Sequence, residues 1–146
     1  MKKKYAWNIA LILLLMASVA IAAMPNAVVY YYPDAEPLYG SFFALNEDVT
    51  TGICLPVAGL LSGIALMLAV AAAVSKKEGW LKGAAWMAFG AMFMGALPIV
   101  IRTEIQVLPN VCHPIAAGAA YLLAKYMQKK KTPEESKSAG PRLEKH

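Results

Sequence analysis

The chain has 146 residues, 59% of them hydrophobic and only 16% charged, with a formal net charge of +5. A soluble domain carries about 25% charged residues, spread so that each helix keeps a polar face; here no Asp, Glu, Lys or Arg lies between Lys4 and Asp34, Asp48 and Lys76, Lys82 and Arg102, or Glu104 and Lys125, which argues against a water-soluble fold. The basic residues do not interleave along one face as a nucleic-acid groove requires, but sit at the chain ends and in one short turn beside apolar runs, where they read as topology signals and contacts to anionic lipid.

A hydrocarbon layer of about 30 Å is crossed by about 20 apolar residues at about 1.5 Å rise each. The first such segment spans about residues 7–24 and stops at Pro25, which cannot continue a helix. Its lysine start (Lys2–Lys4) and the run Ala20-Ile21-Ala22 before Ala23 also resemble a secretory leader with a cleavage site, a rival that an intact mass separates from a retained helix. An outer loop, 25–52, follows. It holds Tyr30-Tyr31-Tyr32 and Phe42-Phe43, and its aromatic character places it at headgroup level or over the mouth of the helices.

The second span covers about 53–74, with Thr50 or Thr51 as its N-cap. The short turn Ser75–Gly79 makes the third span, about 83–101, its antiparallel neighbour. Leu108-Pro109-Asn110 is turn chemistry, and the fourth span runs about 111–127, with Lys125 reaching back to the interface. The domain thus covers 1–131, and the polar tail 132–146 is expected to be disordered and cytoplasmic. Lys2–Lys4, Lys76, Lys77, Lys82 and Lys129–Lys131 all fall on one side of a four-span arrangement. That side is cytoplasmic, with both termini on it. The expected fold is all-α: a polytopic cell-membrane protein forming a compact antiparallel four-helix transmembrane bundle of two hairpins. A short internal similarity, Ile53-Cys54-Leu55-Pro56-Val57-Ala58 to Val111-Cys112-His113-Pro114-Ile115-Ala116, agrees with a two-plus-two layout.

Inside lipid, helices associate where small residues let backbones approach. Gly59 and Gly63 on the second segment, and Ala91 and Gly95 on the third, are the candidate packing positions. Cys54 and Cys112 lie at similar depth near the outer ends of two inward-running helices. They are therefore candidates for a disulfide, for inert buried thiols, or for outward-facing redox work. In size and span number the chain is similar to the four-helix membrane thiol oxidoreductases of the vitamin K epoxide reductase and disulfide-bond-formation families. It lacks their C-x-x-C pair and any third cysteine. The small multidrug antiporters also have four short helices, but they depend on a membrane-embedded Glu that this chain lacks.

The ionisable groups Glu47, Asp48, Arg102, Glu104 and His113 gather at the outer mouth, either as weak surface ion pairs or as a polar vestibule, with the His113 ring nitrogens in water. Cys112, His113 and the methionines of the third span are soft donors, but the methionines fall on several faces and at different depths, as apolar filler does. No metal site, cofactor site or catalytic constellation is read from the sequence. The expected role is an accessory, scaffold or self-associating subunit whose partners are the lipid bilayer and a second copy or another membrane protein. The alternatives are an oligomeric passive pore or facilitator for a small neutral solute, and an outward-facing thiol redox protein.

Overall fold

The computed structural model describes residues 2–25, 27–30, 34, 36, 38–43, 49–101 and 108–144, with side chains for 5–25, 27, 34, 36, 40–43, 53–100 and 111–130. Among the described residues there are four helices: α1 (Lys2–Ala23), α2 (Val49–Ser75), α3 (Glu78–Ile101) and α4 (Leu108–Glu144). Each packs on two neighbours, in the cyclic order α1, α2, α3, α4. Three of them, over Tyr5–Ala23, Ile53–Ser75 and Glu78–Val100, are long and apolar enough to cross a membrane. The fourth is not among these, because His113, Lys125 and Gln128 dilute its apolar run.

The helix bounds depart from the sequence reading mainly by extension. α2 starts at Val49, ahead of the expected threonine cap, and α4 starts at Leu108, ahead of Asn110. α4 also continues through the tail to Glu144, where composition argues for disorder. The Glu, Lys and Ala residues of that stretch are good helix formers. α2 and α3 are joined by Lys76 and Lys77 alone. Lys76 takes a left-handed conformation (φ 59°), and its N–H donates to the Ala72 carbonyl at 3.0 Å, closing the end of α2.

The segment read as an outer loop contains a small hairpin. β1 (Val28–Tyr30) pairs antiparallel with β2 (Leu38–Gly40), Val29 opposite Tyr39. The Phe42 N–H donates to the carbonyl of Ala22 at 3.0 Å. That bond satisfies one of the orphan acceptors at the C-terminus of α1 and fastens the hairpin to it.

The core is built largely from alanine: Ala65, Ala69 and Ala72 of α2, Ala84, Ala85 and Ala88 of α3, and Ala120 and Ala124 of α4, with Leu11 and Leu15 of α1. Such residues bring helix axes close. Between α2 and α3 the fit is knob to notch. A Cβ on Gly90 would stand 3.1 Å from Leu61, and one on Gly83 would stand 3.2 Å from Leu68. Leu61 and Leu68 are seven residues apart, as are Gly83 and Gly90, which is the antiparallel register of two packed helices.

Candidate functional site

The polar side chains of the interior meet in one place. Ser18 comes from α1, Ser62 from α2 and His113 from the first turns of α4, and all three are 0% exposed. Ser18 Oγ lies 2.9 Å from Ser62 Oγ, and Ser62 Oγ lies 3.0 Å from His113 Nε2. One hydrogen-bonded chain therefore ties three helices. The fourth supplies room: a Cβ on Gly95 of α3 would stand 2.7 Å from His113 Nδ1 and 3.3 Å from its Cε1.

The hairpin closes this layer from above. Phe42 is fully buried, and its ring centroid lies 4.8 Å from that of His113, tilted by 59°. Phe42 also packs with Ala22, Ala27, Leu55 and Ala58, with Met94 alongside. The neighbouring Phe43 lies over Gly59, where a Cβ would approach its ring to 2.5 Å. The imidazole is thus held on three sides: by Ser62 at Nε2, by the tilted ring of Phe42, and by the close approach of Gly95 at Nδ1.

A serine hydroxyl 3.0 Å from an imidazole nitrogen has the spacing of a nucleophile and its base. The other requirements of such a pair are unmet among the described residues. His113 Nδ1 is buried and has no hydrogen-bond partner to orient the ring, and neither Ser62 nor His113 reaches the surface. What the arrangement does physically is fix register. The two hydroxyls and His113 Nε2, costly to bury singly, find their partners only when α1, α2 and α4 stand at one relative height.

His113 corrects the sequence reading. It was expected at the outer mouth with wet ring nitrogens, and the structure buries it completely under Phe42. The internal similarity carried the signal for this. His113 aligns with Leu55, and both are fully buried against Phe42. Its expected companions Glu47, Asp48, Arg102 and Glu104 lie outside the described residues. Cys54 and Cys112 stand as free thiols, each half-buried.

Of the candidate packing positions, Gly59 is buried beneath Phe43, Ala91 is buried, and Gly95 is buried against His113. Gly63 has no other described residue within 4 Å of where a Cβ would stand, so its side of α2 faces away from the described neighbours. Among the described residues no group of three or more His, Cys, Asp or Glu is placed to hold a metal ion. Ser18 and Ser62 were not singled out by sequence. Each is a small residue in an apolar run, and nothing local shows that they face each other.

No family model, curated protein or solved structure matches this chain.

Proposed function

We propose that this is an integral membrane protein of four spans, with both termini on the cytoplasmic side. It acts by contact, as an accessory, scaffold or self-associating subunit, and not by catalysis. The observation that carries this reading is the contrast between inside and outside. The interior polar side chains Ser18, Ser62 and His113 are gathered together at 0% exposure, while the outward faces present large apolar side chains such as Met67, Val74, Val100, Ile115 and Leu122. Water would penalise that outer surface and lipid would not.

The polar residues of α4 fit the same reading. His113 faces inward, and Lys125 lies near the aromatic rings of Trp86 and Tyr121, with its stem free to follow the apolar surface. Lys76, Lys77, Lys82, Lys125, Lys129 and Lys130 share one end of the helices, which supports a cytoplasmic assignment for that end.

Affinity purification of the full chain in mild detergent tests the contact role. The expected result is a homo-oligomer or a stoichiometric membrane partner, and a monodisperse monomer recovered alone would overturn it. Recovery in the soluble fraction without detergent would overturn the membrane assignment. A reporter on the C-terminus active only outside would reverse the orientation.

A further inference from the structure

The lysine end carries two matching clusters on opposite flanks of α4. On the α3 side, the Lys125 ammonium lies 5.4 Å from the ring centroid of Trp86 and 5.9 Å from that of Tyr121. On the α1 side, the Lys130 ammonium lies 5.1 Å from the ring centroid of Tyr126 and 5.8 Å from that of Trp7. Trp7 and Tyr126 themselves meet edge to face at 5.5 Å. Within each cluster the tyrosine precedes the lysine by four residues on α4 and so stacks beside it.

Among the described side chains, Glu78 is the only carboxylate near these lysines, and it lies 3.7 Å from Lys82. A ring face attracts an ammonium without consuming its N–H donors, so Lys125 and Lys130 keep donors for an anion. The rings belong to Trp and Tyr, the residues that settle at headgroup level.

Resting on the membrane reading above, we propose that these two flanks of α4 are binding sites for anionic phospholipid. In each, the lysine takes the headgroup phosphate and the adjoining indole and phenol rings take the glycerol and upper acyl chain. A zwitterionic headgroup brings its own cation toward the lysines and is disfavoured. Lys125 with Trp86 and Tyr121 forms one site; Lys130 with Trp7 and Tyr126 forms the other.

The tryptophans supply the readout. The full chain carrying W80F, which leaves Trp7 and Trp86, is reconstituted in vesicles containing brominated-chain phosphatidylglycerol or brominated-chain phosphatidylcholine, and indole quenching is compared at equal mole fraction. Phosphatidylglycerol should win by about fivefold in relative affinity, the equivalent of ~1 kcal/mol for a lysine at an anionic surface. Lys125→Gln with Lys130→Gln should bring the ratio to about one. Lys125→Arg with Lys130→Arg should keep the preference, and so should Lys76→Gln with Lys77→Gln, which alters charge outside both clusters. Equal quenching by the two lipids in the parent chain, or a preference that survives the double glutamine variant, overturns the proposal. Absence of quenching by either lipid overturns the membrane reading beneath it, and is thereby told apart.

Discussion

Gly95→Ala tests whether the polar layer is as tightly held as its geometry implies. The new methyl would stand 2.7 Å from His113 Nδ1, closer than any real Cβ contact, so the ring must move. Movement toward Phe42 meets a buried ring at 4.8 Å, and rotation breaks the 3.0 Å bond to Ser62. Overpacking of a filled core costs ~1–3 kcal/mol, and a side-chain hydrogen bond between membrane helices is worth ~0.6 kcal/mol on average. Against this, alanine gains up to ~1 kcal/mol over glycine in helix propensity.

The net expectation is a loss of roughly 0.5–2.5 kcal/mol, read from reversible unfolding in mixed detergent micelles. The same substitution at Gly63, where a Cβ meets nothing within 4 Å, should be neutral or stabilising. In a His113→Ala background Gly95→Ala should also lose its cost, because the clashing ring is gone. If Gly95→Ala is as stable as the parent chain, or remains equally costly without the imidazole, the described clamp on His113 is wrong.

Three further outcomes follow from the same layer and the thiols. Phe42→Ala empties a fully buried position above His113 and should cost about 3–5 kcal/mol in the same unfolding assay, and a cost under ~1 kcal/mol would show that the hairpin is not seated there. Ser62→Ala leaves both the Ser18 hydroxyl and His113 Nε2 without their partner, whereas Ser18→Ala leaves the Ser62–His113 bond intact. Ser62→Ala should therefore be the more damaging by roughly 1 kcal/mol, and the reverse order would contradict the chain of bonds. Cys54 and Cys112 should both react with maleimide in detergent without reductant, counted by intact mass; labelling that appears only after reduction would show a disulfide instead.

The helices were legible because their signal is long: α1, α2 and α3 each hold a nearly charge-free apolar stretch of bilayer length, and α4 a weaker one diluted by His113 and Lys125. Their ends were less so, since Val49 and Leu108 carry no mark that distinguishes a helix residue from the loop before it. The hairpin was invisible for a related reason. Its strands are three residues each, and neither flank holds the Asn-Gly or Asp-Gly pair that announces a tight reversal.

The polar layer was hidden by separation in sequence. Ser18 and Ser62 stand 44 residues apart, and Ser62 and His113 stand 51 apart, so no local periodicity connects them. A serine among small and apolar residues looks like one more packing residue, and a histidine three residues from Asn110 and next to Pro114 looks like the edge of a turn. The place of Ala20-Ile21-Ala22 in the packing was equally hidden. In the structure it is the last turn of α1, where Ala22 is buried and its carbonyl receives Phe42.

The connection between α2 and α3 also dictates an order of assembly. With Lys76 and Lys77 as the whole link, these two helices meet with almost no loop to close, and their leucine–glycine notches need no other element. α1 and α4 join through longer connections, α1 packing on α2, α4 on α3, and the two on each other. Ser62 stands on α2 with its hydroxyl between groups from α1 and α4, so the bonds to Ser18 and His113 form only when both of those helices are docked in register.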